Sequence, residues 1–269
     1  MNTGFVGIGS MGGMLVRALL RAKALAPDEC WIANRSRAKL EALVNEFSGL
    51  NVASNRKLAT HCDLIFLCLK AGDSASALAE MDAELYPGQL LVTTASVIPL
   101  QALENRVPCR VAKLIPSITQ EVGAGVALLM YGSRITAEDR KLLEELTGLI
   151  SHPVVISEAQ ARPAIGLASG GPALIAYLLQ SMAEEAARSN PEVSAGLAKQ
   201  LIAETLDATA KLVREGKLSL TEIIERVAVP GGMTAQAIQI LARQVPQAWE
   251  SVFRESSEKE RRERADLIL

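Results

Sequence analysis

The stretch Phe5-Val6-Gly7-Ile8-Gly9-Ser10-Met11-Gly12 decides the fold. An apolar β-type run breaks into glycines and reopens as the helical Met14-Leu15-Val16-Arg17-Ala18-Leu19-Leu20, so it reads as strand, tight turn, helix. Gly7 and Gly9 let the backbone turn and lie against a pyrophosphate, and Gly12 lets the helix sit close to the strand. The free N–H groups of the first helical turn, around Ser10 and Met11, are placed to hold phosphates. A lone G-x-G-x-x-G is a weak signal. This one opens the chain, follows a strand and starts a helix, which makes it a dinucleotide-binding fingerprint.

Moving outward, Cys30-Trp31-Ile32-Ala33 is a second strand ending at Asn34-Arg35-Ser36-Arg37. About 20 residues past the glycines, an NAD site places an Asp or Glu on the ribose hydroxyls. None stands here. Asn34, Arg35 and Ser36 offer hydrogen-bond donors and a guanidinium that suit a 2′-phosphate, so NADP is expected over NAD. Asn34 and Ser36 serve equally as caps for the helix through Leu40, Leu43 and Val44.

Leu50–Ala53, Asp63–Lys70, Gln89–Thr93 and Arg110–Ile115 read as further strands, with helical patterns at Ser74–Glu84 and Leu100–Glu104 between them. Strands apolar along their whole length are buried on both faces, which predicts a parallel sheet with helices above and below. The alternation is that of a doubly wound α/β fold. Ligands in such sheets lie beyond the carboxyl ends of the strands, so Leu69-Lys70, Thr94-Ala95-Ser96 and Pro116-Ser117 point to the cofactor crevice. Val126–Met130 and Val154–Ile156 are closing strands around a helix over Ala137–Thr147.

Beyond about Ser157 the β signal stops. Glu158–Ser189, Val193–Glu215, Leu220–Val227, Met233–Gln244 and Ala248 onward carry helical periodicity, and Glu255–Arg264 reads as a solvated helix. The expected organisation is a Rossmann-type NAD(P)-binding domain over 1–157 and an all-helical domain over 158–269.

Hydrophobic content of 49% and charged content of 22% are those of a folded globular protein. A net charge of −2 without a single-sign block argues against a nucleic-acid surface or a polybasic membrane patch. No apolar run is seen to approach the ~18 residues that span a bilayer, and no signal peptide precedes the first strand. A soluble, cytoplasmic protein with a small-molecule partner is expected. Cys30, Cys62, Cys68 and Cys109 lack zinc-type spacing and read as reduced strand residues. His61 and His152 read as loop residues, and no metal site is expected.

Two stretches of the helical part share one grammar. Ser169-Gly170-Gly171-Pro172 interrupts a helical pattern and sets Pro172 at the start of a new helix. Val229-Pro230-Gly231-Gly232-Met233-Thr234 again opens a helix behind glycines, leaving N–H groups free for a carboxylate with the Thr234 hydroxyl in the same turn. Each reads alone as a kink or a cap; together they point to a substrate pocket.

This arrangement resembles the pyrroline-5-carboxylate reductases, and within them the paralogues of bacterial late-competence operons. The resemblance covers nearly the whole chain. It rests on Gly4–Gly12, Asn34-Arg35-Ser36, Asn55, Asp63–Lys70, Ile115-Pro116-Ser117 with Val122-Gly123-Ala124-Gly125, Gly170–Ala173 and Pro230–Thr234. It implies hydride transfer from NAD(P)H to the C=N carbon of 1-pyrroline-5-carboxylate, giving proline. It also implies a helical domain that interlocks with a second copy, in a homodimer or larger assembly. By resemblance Gly231, Gly232, Met233 and Thr234 bind the substrate with Gly171 nearby, the Thr234 hydroxyl contacts the ring nitrogen, and Asn55 contacts the 2′-phosphate. The chain departs from the family pattern at Ser117 and Ile118, at Ala168 and at Val229. These departures bear on the substrate more than on the cofactor, and leave open another imine or carbonyl substrate or a regulatory paralogue that binds NADP.

Overall fold

In a computed structural model of the chain, residues 1–267 are described. Their strands are β1 (Thr3–Val6), β2 (Cys30–Ala33), β3 (Asn51–Val52), β4 (Leu64–Leu67), β5 (Leu90–Thr93), β6 (Arg110–Ile115), β7 (Val126–Tyr131) and β8 (His152–Val155). They form one sheet in the order β3-β2-β1-β4-β5-β6-β7-β8. All neighbours are parallel except β6 and β7. Residues 116–125 are all that separates these two strands, too little chain for the helical crossover that parallel pairing needs.

The helices of this part are α1 (Ser10–Arg21), α2 (Arg37–Glu46), α3 (Asn55–His61), α4 (Ala71–Met81), α5 (Leu100–Arg106), α6 (Ala137–Gly148) and α7 (Ala161–Ala168). Alternate residues of each central strand enter two apolar layers, as predicted from strands apolar throughout. Phe5 and Phe66 belong to one layer, stacked with ring centroids 5.0 Å apart. Val6, Ile65 and Leu67 belong to the other.

The remaining helices are α8 (Gly171–Ser189), α9 (Ala195–Arg214), α10 (Leu220–Val227) and α11 (Met233–Ala265). α11 runs unbroken through Pro246, where the helical periodicity predicts a break between Gln244 and Ala248. Its end is also less solvated than expected: Glu260 is buried, with Arg264 at 2.7 Å and Arg162 at 3.7 Å.

The chain divides into two compact units, one of Met1–Pro172 with Ser256 onward and one of Ala173–Glu255. The first unit thus extends past the boundary expected at 157, because Ala161 and Ile165 of α7 pack into an apolar cluster with Ile115, Leu128 and Met130 of the sheet. The second unit is helical. Among its described residues only Ala183 and Ala198 are buried, while Tyr177, Met182 and Leu201 are more than half exposed. A groove of about 410 Å³ between α8 and α9 is lined by Leu179, Met182, Val193, Leu201 and Ile202.

One stretch does reach the length and hydropathy of a membrane span, against the sequence expectation. It is Glu158–Ser189, within which an 18-residue window has a mean hydropathy of 1.2. The helix is interrupted within it at Ser169-Gly170, between α7 and α8, so it is weak evidence for a span.

Candidate functional site

At the carboxyl end of β1 the chain turns at Gly7, with φ +88°, and a Cβ there would lie 2.4 Å from Leu69 Cδ2 and 2.8 Å from the Cys68 carbonyl oxygen. A Cβ on Gly12 would lie 2.0 Å from the Gly7 carbonyl oxygen. No side chain fits at either place. Gly9 differs: nothing lies within 4 Å of the position its Cβ would take. No side chain caps the start of α1, so the N–H groups of its first turn have no intrahelical partner. Gly7 and Gly12 are demanded by the chain itself, whereas Gly9 leaves open space in front of these donors.

That space belongs to a cleft of about 380 Å³ lined by Gly7, Gly9, Asn34, Arg35, Asn55, Leu69 and Lys70. It lies beyond the carboxyl ends of β1, β2 and β4, where the sheet order changes direction between β2 and β4. Asn34 sets the turn: its Oδ1 accepts from the Ile8 N–H at 3.2 Å and its Nδ2 donates to the Ser36 carbonyl at 3.2 Å. Ser36 occupies the N-cap position of α2, but its side chain makes no capping bond. Asn55 opens α3, behind Ser54, which accepts from the Lys57 N–H.

Four polar residues that sequence reasoning passed over also line the cleft: Lys39, Asp73, Ser76 and Glu80. Two of them engage the expected phosphate ligands. Arg35 donates to Asp73 Oδ1 at 2.8 Å, and Asn55 Nδ2 donates to Glu80 Oε2 at 2.9 Å. Both acids ride on α4, away from the β2 end where an adenosine-ribose acid is normally sought.

Other expected cofactor residues do not line this cavity. Ser10 is exposed at the start of α1, and Met11 packs against the core beside buried Gly12. Ala95, Pro116 and Ser117 are buried. The Ala95 N–H donates to Thr93 Oγ1 at 3.1 Å, and Ser117 Oγ accepts from Thr119 Oγ1 at 3.0 Å, so both are turned to their own loops. Ile118 beside them is 44% exposed.

By sequence pattern Lys113 is a residue of β6, and its side chain is fully buried. Its Nζ donates to Glu158 Oε1 at 2.7 Å and to the Ser96 carbonyl at 3.1 Å, and the same Glu158 oxygen accepts from the Leu100 N–H at 3.1 Å. Burial pushes the Lys113 ammonium below its usual range while Glu158 pulls it back. The pair ties β6, the Ser96 loop and the start of α5 together just before Pro116-Ser117. Neither histidine lines the cleft. His61 ends α3 with its ring 4.7 Å from that of Trp31 and Nδ1 2.9 Å from the Lys57 carbonyl, and His152 is an exposed residue of β8.

In the helical unit, Gly231 at φ +77° turns the chain into α11. The Gly232 N–H is taken by the Val229 carbonyl at 3.0 Å and the Gln236 N–H bonds the Gly232 carbonyl at 3.3 Å. The N–H groups of Met233 and Thr234 therefore stand in a first turn without intrahelical partners. Met233 is 89% exposed, and Thr234 is exposed too. Pro172 falls at the second residue of α8, one place later than expected, behind Gly171.

Residues 158–263 match the family described as pyrroline-5-carboxylate reductase dimerisation. Residues 2–96 match the family described as NADP oxidoreductase, coenzyme F420-dependent. ComE operon protein 4 of Bacillus subtilis is 34% identical over 254 residues, covering 94% of this chain and 93% of its own. Pyrroline-5-carboxylate reductase 3 of the same organism is 28% identical over 251 residues, covering 93% and 92%. The crystal structure of the Plasmodium falciparum pyrroline carboxylate reductase with NADP bound superposes with a TM-score of 0.84 at 20% identity, over 98% of this chain and 97% of that one.

Proposed function

The chain belongs to the pyrroline-5-carboxylate reductase family, and on that premise we propose that it is an NADP-dependent reductase of a small cyclic imino acid, 1-pyrroline-5-carboxylate, yielding proline. The observation that carries this reading is the glycine cradle. A side chain at Gly9 would fill the space before the first turn of α1, and its absence there suits a pyrophosphate. The cleft fits a phosphorylated dinucleotide in charge as well, with Arg35, Lys39 and Lys70 on its walls. A relative whose structure was determined with NADP bound supports the choice of cofactor.

NADPH supplies the hydride. The chain's own part is to hold and orient. In this reading the Met233 and Thr234 N–H groups bind the substrate carboxylate, and the Thr234 hydroxyl hydrogen-bonds the ring nitrogen. A protonated cyclic imine is already electrophilic: the hydride forms the new C–H bond and the C=N π pair stays on nitrogen. No general acid is therefore required, which accords with a cleft that no histidine lines; alignment supplies most of the rate. Residues 1–157 act here as the cofactor domain, α7 packs on that domain's sheet, and the helices that follow act as the dimerisation and substrate domain. The enzyme works in the cytoplasm as a homodimer or larger homo-oligomer, and the dimerisation family matched over 158–263 supports that assembly.

A second reading is favoured by one observation. Ser117 turns its hydroxyl to Thr119 and leaves Ile118 exposed, so this loop offers an apolar surface, suited to another small imine or carbonyl compound. Incubation with NADPH and racemic 1-pyrroline-5-carboxylate tests the first: absorbance in the nicotinamide band falls and proline accumulates. A flat trace contradicts it.

A further inference from the structure

The donors expected to grip a 2′-phosphate are already held by carboxylates of the same chain. Asp73 and Glu80 stand seven positions apart on α4, two helical turns, so both face one side. That side lines the cleft, where Asp73 takes the Arg35 guanidinium at 2.8 Å and Glu80 takes the Asn55 amide at 2.9 Å. Lys39 and Lys70 also line it, and among the described residues neither is in an ion pair. Three cations therefore meet two carboxylates at one rim.

A 2′-hydroxyl and a 2′-phosphate meet this rim differently. The hydroxyl is a donor, and a carboxylate that accepts from ribose is the usual means of holding NAD. The phosphate carries only acceptors at full charge, so it must draw Arg35 and Asn55 away from Asp73 and Glu80 while lying beside both negative charges. The same carboxylates assist one dinucleotide and oppose the other.

We propose that Asp73 and Glu80 are specificity-determining residues of the cofactor cleft, narrowing its preference for a 2′-phosphorylated over an unphosphorylated nicotinamide dinucleotide. This rests on the reading of the cleft as the dinucleotide site. With the carboxylates present, Lys39 and Arg35 favour NADPH by a moderate margin and NADH remains a usable ligand. With them neutralised, the cleft becomes strongly selective for NADPH.

The test is equilibrium binding of NADPH and of NADH to the full-length protein by calorimetry, for the unmodified chain, Asp73→Asn, Glu80→Gln and the double variant. The substitutions are isosteric and lie on the cleft rim, and melting curves verify that each variant is folded. NADPH binding tightens about fivefold per charge removed while NADH binding holds or weakens, so the NADPH-to-NADH preference of the double variant rises by about 25-fold or more. A preference that stays within about twofold of the unmodified chain overturns the proposal. Weaker NADPH binding in both single variants overturns it too, showing that the acids position the donors instead. An unmodified chain that binds both dinucleotides but reduces no cyclic imine overturns the reductase reading and leaves this inference to the variants. A chain that binds neither dinucleotide overturns both.

Discussion

The sheet unit and the helical unit of this chain solve the burial problem in opposite ways. In the first, Phe5, Phe66, Leu15 and Leu64 are essentially inaccessible, and the sheet is apolar on both faces. In the second, long helices carry apolar residues in a similar proportion, yet only Ala183 and Ala198 are buried among those described. Tyr177, Met182, Leu201, Leu220 and Ile240 stand in the open. An unpaired apolar surface of this extent marks an association face. One unit buries its apolar residues within its own chain; the other leaves them open, and residues 158–263 match a dimerisation family.

The largest effect that can break this contrast comes from the sheet. Phe66→Ala removes a ring stacked on Phe5 and costs about 3–5 kcal/mol of folding stability. On this account the loss, read by denaturant titration, is nearly independent of protein concentration. Leu201→Glu, in the helical unit, behaves in reverse. It places a charge in the groove between α8 and α9 and weakens association by about 2–3 kcal/mol, roughly a hundredfold in dissociation constant, with the sheet unit still folded. Sedimentation across a dilution series separates the two outcomes; a concentration-independent loss in Leu201→Glu makes the units alike and breaks the comparison.

Alkali sharpens it further, because every cysteine lies in the sheet unit. Burial pushes the thiols of Cys30 and Cys62 up to about 12 and that of Cys109 to about 11, from 9.0. The folded unit keeps these protons where the unfolded chain releases them, so their stabilisation is fully present below about pH 9 and is lost as pH rises to about 11–12. Each thiol costs about 1.4 kcal/mol per pH unit in that window. Thermal melts from pH 8 to 11 therefore show a steepening loss of stability, and a disulfide reagent at pH 8 labels these three only after denaturation. Labelling of the native protein contradicts the burial.

How much of this was legible beforehand differs between the units for a physical reason. The sheet was readable because a continuous apolar strand and a glycine turn are local signals: β2, β6 and α10 fall where periodicity put them. The junction was not, because α7 is helical by pattern but joins the sheet by packing, and a pattern does not name its partner. Pro246 misled in the same way, its missing N–H bond being a local penalty that the long α11 tolerates. In the cleft, Gly7, Gly9, Asn34, Arg35, Asn55 and Lys70 were found from motif and resemblance. Asp73 and Glu80 were missed because acids on an exposed helix face look like solvation until the fold lays α4 beside Arg35 and Asn55. Lys113 was missed for the converse reason: its alternation slot is interior, and Glu158, far along the chain, together with the Ser96 carbonyl makes it tolerable there.

The smallest expected effect concerns the helical unit's chemistry. Thr234→Val keeps shape and removes the hydroxyl, and where that hydroxyl bonds the ring nitrogen during hydride transfer, kcat falls by roughly 2- to 13-fold, about 0.5–1.5 kcal/mol, with NADPH affinity unchanged. A lower melting temperature with unaltered turnover leaves Thr234 a structural role in the first turn of α11.

The contrast itself is tested most directly by the mass of the unmodified protein in solution, measured by light scattering at micromolar concentration. The account predicts particles of at least two 269-residue chains, holding together on dilution until the helical faces part. A particle of one chain across that range contradicts it, since the apolar surface of α8 and α9 then faces water with nothing to cover it.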